Sequence, residues 1–397
     1  MAHWRYLIIG GGMTAHAAAG GIRKVDQTGS IGVIGAEAHP PYDRPPLSKG
    51  LWKGKPLESI WRQSEDLEVK FHLGRKAQSL DARKKTVTDD EGATHTYDKL
   101  LLATGASPKR LPFGGDDIIY YRTLDDYQRL RELSEHNRRF AVIGGGFIGS
   151  EVAAALAMNG REVVMTFPDH GIGGRLFPLE LAAFVTDYYQ KKNVEVKTES
   201  SVIGMEMRGG QRVLRVRSSV AGKEQDVVVD AVIAGVGVRP NVELAESAGL
   251  EVHDGIRVNG ALQTSEPDIY AAGDVASFHN PALDAWMRVE HEDNANTMGE
   301  MAGRSMAGEA VSYDHLPFFY SDLFDLGYEA VGEVDARLET VTDWKEVNRE
   351  GVVYYLRDRR VRGVLLWNVW EQVDAARRLI AEPGPFDAAS LKGRLPA

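Results

Sequence analysis

The chain has 397 residues, enough for two or three domains with a sizeable core, and its formal charge of −10 argues against nucleic acid as the main partner. It contains no cysteine, which excludes disulfides, thiolate nucleophiles, Cys-ligated zinc and iron–sulfur clusters, so any redox chemistry must belong to a bound organic cofactor. No stretch approaches the ~18–20 apolar residues of a membrane span, and a strand opens within about five residues of the start, so a cytoplasmic chain without a leader is expected.

Residues 6–9 read as a strand, Gly10-Gly11-Gly12 as a turn and residues 14–24 as an alanine-rich helix. A GxGxxG turn of this kind carries a dinucleotide. Its first glycine allows the turn, its second lets the pyrophosphate approach the backbone, and its third lets the helix pack on the strand. Gly10 and Gly12 fit, and Ala15 takes the third place. The strand expected at 31–34 is followed by Glu37, at the distance where a carboxylate holds adenosine ribose hydroxyls. A proline-rich loop follows at 39–49, HPPYDRPPLSK, stiff enough to aim Arg44 and Lys49. Short strands are expected over 68–102, ending in a Thr104-Gly105 turn, and the chain leaves this domain around 114–122.

A second copy of the motif begins with a strand at 140–143, then Gly144, Gly146 and Gly149 in register, and a helix at 148–159. A strand at 162–167 leads to Asp169. That carboxylate would repel a 2′-phosphate and favours NADH over NADPH, although His170 and Arg175 are cations close enough to weaken the preference. A helix near 178–191 and strands near 194–198, 212–218 and 225–232 follow, closing in AGVGVRPN at 234–241 with Gly237. A return segment at 264–278 carries Asp274, and a helix is expected over 290–307. From 316 onward a third unit shows strand alternation at 351–367 and a last helix at 372–381. The expected class is α/β: two Rossmann-like dinucleotide-binding domains, glutathione-reductase-like with one inserted in the other, plus a C-terminal α+β domain.

The strings PPYDRPPLSK, ATGASP, GGGFIGSE, AGVGVRPN and AAGDVA occur in this order. In them the chain resembles the cysteine-free FAD-dependent pyridine-nucleotide oxidoreductases, which include oxygenase-coupled ferredoxin reductases, rubredoxin reductases and apoptosis-inducing factor. RVEHEDNA (288–295), SDLFDLGYEAVGEVD (321–335) and YYLRDRRVRGVLLWN (354–368) sharpen the resemblance toward apoptosis-inducing factor. The long insertion of the family's animal member is replaced here by a short connection, 338–350, and no mitochondrial targeting segment is read, so a cell-death role is not expected.

The resemblance implies an FAD-binding domain (1–117 and 241–314), an NAD(H)-binding domain (118–240) and a C-terminal domain (315–397). It places FAD on Gly10, Gly12, Ala15, Glu37 and Arg44, with Asp274 meeting the ribityl hydroxyls and Thr104 and Gly105 forming a crossover turn. NAD(H) falls on Gly144, Gly146, Gly149, Asp169, Arg175 and Gly237. Lys49 is implied to lie beside the flavin's hydride-accepting nitrogen, paired with Glu151; a structural salt bridge is the alternative. Glu290 and His291 open a helix aimed at the flavin's pyrimidine edge, where His291 touches the ring or is simply a helix-start residue. Phe147 either stacks at the nicotinamide entry or packs in the core, and Tyr320 stands where apoptosis-inducing factor has tryptophan.

The function expected is hydride transfer from NADH to FAD, then electron transfer to a ferredoxin-like one-electron acceptor. The alternatives are a redox sensor resembling apoptosis-inducing factor, in which a stable reduced flavin–NAD charge-transfer complex controls dimerisation or partner binding, and a monodehydroascorbate- or quinone-type reductase. The implied partner is a small iron–sulfur carrier, and the chain is expected to be a monomer or homodimer with no metal. Arg357, Arg359, Arg360 and Arg362 form a basic run that either steers such a carrier or is a solvated face.

Overall fold

The computed structural model describes residues 2–395; Met1, Pro396 and Ala397, at the outer ends of the expected first and third domains, lie outside the described residues. The chain divides into two compact units. The first takes the segment up to Arg44, then Leu57–Ser107 and Arg239–Phe318. The second takes Pro45–Pro56, Pro108–Val238 and the segment from Phe319 onward.

In the first unit a seven-stranded sheet is centred on the strands Ala2–Ile9 and Thr94–Leu102, with Ile31–Gly35 and Val69–Leu73 outside Ala2–Ile9. These four run parallel, with Tyr6 opposite Ile31 and Leu7 opposite Leu100. Tyr6, Leu7, Ile8 and Ile9 are all buried, the near-continuous apolar run of a parallel strand covered on both faces. The helix Met13–Val25 packs against the helix Glu292–Met306, and a Cβ at Gly303 would lie 2.0 Å from the Ala18 carbonyl oxygen. Small residues on both helices therefore bring the two backbones together.

The second unit holds a five-stranded parallel sheet in the order Val194–Lys197, Glu162–Thr166, Arg139–Ile143, Ala231–Ala234 and Ile118–Tyr120. It also holds a three-stranded antiparallel sheet and a five-stranded antiparallel sheet; the latter is centred on Arg360–Trp367.

Two expectations differ from the structure. The single strand expected over 225–232 is two, Glu224–Val229 in the antiparallel sheet and Ala231–Ala234 in the parallel one. Asp230 marks the switch, because its carboxylate accepts the backbone N–H groups of Arg138 and Arg139 at 3.0 and 2.9 Å. The connection 338–350 contains the edge strand Glu339–Glu346, paired along Glu350–Arg357. Among the described residues, no helix is long and apolar enough to cross a membrane.

Candidate functional site

Both glycine turns have the shape a pyrophosphate requires. Gly10 has φ +119°, and a Cβ there would lie 2.1 Å from the Ala103 carbonyl oxygen. Gly144 also has φ +119°, with its Cβ position 2.2 Å from the Gly235 carbonyl oxygen. Neither turn could be built with a side chain. The second glycines behave oppositely: a Cβ on Gly12 or Gly146 would meet nothing within 4 Å. The protein leaves these spaces open, and each lies at the N-cap of a helix, Met13–Val25 or Phe147–Met158, with no side chain capping the first turn. An open cradle at a helix N-terminus fits a dinucleotide pyrophosphate. Gly149 completes the second copy, since a Cβ there would sit 2.1 Å from the Gly144 carbonyl oxygen. Ala15 is buried in the matching place of the first copy.

Each turn has a carboxylate at the end of the next strand. Glu37 accepts a hydrogen bond from the Tyr42 hydroxyl at 2.5 Å and pairs with Arg44. Burial opposes the Arg44 charge, but Glu37, Tyr42 and Asp274 outweigh it and raise the guanidinium above its ordinary range. In the second copy, Asp169 accepts from Arg175 Nε at 3.1 Å. Arg175 is largely exposed, with 77% of its side chain accessible, so this pair holds the carboxylate only loosely.

Asp274 lies buried in the one-turn helix Gly273–Val275, directly after the sheet strand Ile269–Ala271. Arg288 ties this turn to the neighbouring site residue: it donates to the Asp274 carbonyl at 3.1 Å, to Glu290 at 2.6 Å and to Asp254 at 3.1 Å. His291 is the N-cap of the helix Glu292–Met306. Thr104 and Gly105 are clasped to Asn241: the Thr104 hydroxyl donates to its carbonyl at 2.7 Å, and the Asn241 N–H donates to Gly105 at 2.9 Å. Gly237, at φ +91°, accepts the Lys109 N–H at 2.9 Å.

The second unit brings Lys49 and Glu151 together, Nζ to Oε1 at 2.7 Å, with side-chain exposures of 12% and 2%. Ser48 donates to Glu151 Oε2 at 2.5 Å and Ser321 to Oε1 at 2.6 Å, so the buried carboxylate is surrounded by donors. The Lys49 ammonium also lies 5.0 Å from the centre of the Tyr320 ring, so the tyrosine at this position faces a cation. Tyr189 and Tyr328 stay protonated: burial first, and then the Glu151 charge, push both hydroxyls well up. Phe147 starts its helix and meets Phe319 edge-on, with ring centres 5.1 Å apart.

The basic run is partly neutralised. Arg357 and Arg362 both hold Glu333, at 2.6 and 3.1 Å, and Arg359 lies 4.0 Å from Asp387. Sequence reading assigned no role to Ser48, Ser321, Tyr42 or Arg288, although all four lie within the strings that carry the resemblance or beside them.

Two sheets with parallel central strands, each with a turn open to a pyrophosphate and a carboxylate beyond it, define an oxidoreductase that binds two dinucleotides. Residues 4–299 match the pyridine nucleotide-disulphide oxidoreductase family, and residues 302–350 and 342–382 match the mitochondrion-associated C-terminal domain of apoptosis-inducing factor. The chain is 32% identical to apoptosis-inducing factor 1 of Dictyostelium discoideum, covering 95% of this chain and 78% of that protein. It is also 32% identical to the ferredoxin–NAD(+) reductase component of the anthranilate 1,2-dioxygenase system of Burkholderia cepacia, covering 97% and 96%. Among solved structures, the covalent putidaredoxin reductase–putidaredoxin complex superposes with a TM-score of 0.90 at 28% identity, covering 98% of this chain and 95% of that one. The chain belongs to the pyridine nucleotide-disulphide oxidoreductase family, as a flavoprotein reductase with FAD and NAD(H) as cofactors. With no cysteine it carries no redox disulfide of its own.

Proposed function

We propose that the chain oxidises NADH and delivers the electrons singly to a small iron–sulfur protein. The observation that carries this reading is the end-to-end similarity to a ferredoxin–NAD(+) reductase component in a chain without cysteine. When bound, FAD takes a hydride from NADH and can release its two electrons one at a time.

Gly10, Gly12, Ala15 and Glu37 hold FAD at the first turn, with Arg44 orienting Glu37. Gly144, Gly146, Gly149 and Asp169 take NADH at the second, and Gly237 shapes the nearby loop. The carboxylate of Asp169, paired only loosely with Arg175, supports NADH over NADPH. Asp274 and the Thr104-Gly105 turn position the flavin's ribityl side, and Glu290 and His291 present a helix start to its ring. Lys49, held by Glu151, supplies positive charge where electron density arrives. Phe147 covers the nicotinamide entry.

The proposal keeps three domains, with FAD on 1–117 and 241–314, NAD(H) on 118–240 and a C-terminal domain at 315–397, supported by their separate sheets. Because NADH is a cytosolic reductant, a cytoplasmic location goes with it. The decisive experiment is NADH-driven reduction of a panel of ferredoxins, rubredoxin, monodehydroascorbate, quinones and dioxygen. Turnover with a ferredoxin well above that with dioxygen is expected, and equal slow rates with every acceptor would reject the reading. The C-terminal domain match favours a second reading, a slow redox sensor, which predicts a change in oligomeric state on NADH addition.

A further inference from the structure

Lys49 Nζ and Glu151 Oε1 form an ion pair 2.7 Å apart, and the position of one proton sets the charge of both groups. On Nζ it leaves an ammonium and a carboxylate. If it moves to Oε1, the N–H bond breaks, an O–H bond forms, and both groups become neutral. Burial favours the neutral form, because separated charges lose more solvation than neutral groups do. Donors aimed at the carboxylate favour the ionic form.

Two such donors are built in. Ser48 reaches Oε2 at 2.5 Å and Ser321 reaches Oε1 at 2.6 Å. The Glu151 charge also acts on the phenols of Tyr121, Tyr189 and Tyr328. All three are pushed up chiefly by burial and bring no positive charge, so among them Lys49 is the cation.

We infer that Ser48 and Ser321 are positioning residues that hold the shared proton on Lys49, and so maintain a full positive charge beside the flavin. The inference rests on the proposed place of Lys49 at the flavin. Neither serine touches the reacting atoms; each acts through Glu151.

The test measures the reduction potential of bound FAD across neutral pH in wild type, Ser321→Ala, Ser321→Thr, Ser48→Ala and Lys49→Met. Infrared difference spectra monitor a protonated carboxyl, assigned by its loss when Glu151→Gln is added. Losing one charged-group hydrogen bond should shift the two-electron equilibrium about tenfold toward oxidised flavin, about 30 mV. Ser321→Ala and Ser48→Ala should both lower the potential and show the carboxyl band, and Ser321→Thr should restore wild-type behaviour. Wild-type potentials and spectra in both alanine variants, alongside a shifted Lys49→Met, would overturn the inference. An unshifted Lys49→Met would instead overturn the placement of Lys49 at the flavin. If Ser321→Ala does not retain FAD, Ser48→Ala and Ser321→Thr decide.

Discussion

The two glycines of the second turn should fail in different ways when each is changed to alanine. At Gly144 the backbone lies at φ +119° and the new Cβ would stand 2.2 Å from the Gly235 carbonyl oxygen. Backbone strain and overpacking each cost about 1–3 kcal/mol, so Gly144→Ala should lose about 2–6 kcal/mol of stability. At Gly146 the backbone is extended, at φ −85°, and the Cβ meets nothing within 4 Å. Gly146→Ala should therefore stay within about 1 kcal/mol of wild type, the cost of alanine at a helix N-cap. Its methyl fills the space left for the pyrophosphate. Displacing that group forfeits part of the helix N-terminal attraction and a charged hydrogen bond, together about 2–3 kcal/mol. That corresponds to NADH binding about 30- to 140-fold weaker.

Urea unfolding measures the first quantity, and anaerobic flavin reduction at varied NADH measures the second. FAD content serves as the control, because the first turn is unchanged. Gly146→Ala with wild-type NADH dependence, or with a stability loss equal to that of Gly144→Ala, would refute the assignment of this turn to the pyrophosphate.

Further outcomes are expected elsewhere. Asp169→Ala removes the charge that opposes a 2′-phosphate and releases Arg175 toward it, so the NADPH-to-NADH ratio of kcat/KM should rise about tenfold, one to two kcal/mol of screened repulsion; an unchanged ratio counts against that role. Arg288→Leu removes the donor shared by the Asp274 carbonyl and Glu290, and FAD should dissociate about tenfold more readily, read by flavin fluorescence on dilution; wild-type retention would make Arg288 irrelevant to the flavin. The Asp26 carboxyl is lowered to about 2, first by the Thr28 N–H and then, against its burial, by Gly29, Tyr6 and Arg5. A depressed carboxyl stabilises the fold above its unfolded value of about 3.9 and loses that contribution as pH falls toward the folded value. Asp26→Asn should thus have a lower urea midpoint than wild type at neutral pH, with the gap narrowing below about pH 4; a gap independent of pH would contradict the linkage.

The nucleotide turns were legible because their chemistry is local. Strand, glycines, helix and carboxylate fall within a short stretch, and the glycines report backbone shape directly. The sheet switch at Asp230 was not legible, since the apolar stretch runs on through it and the N–H groups that pin it belong to Arg138 and Arg139. Charge partners were hidden for the same reason. Four arginines in six residues leave a docking face or a solvated face open, yet two of them close on Glu333, which precedes them in a different strand turn. Lys49 and Glu151 could be paired only through the resemblance, and Ser321, 170 residues from Glu151, could not be placed there by any spacing rule. Exposure then decides what each charge can do. The Arg357–Glu333 pair reaches solvent, which screens it; Arg357 is half exposed. Lys49 and Glu151 are shielded, so the field of the ammonium extends to whatever stands next to it. A single lysine on a buried carboxylate is therefore a stronger pointer to redox chemistry here than the whole basic run is to a partner.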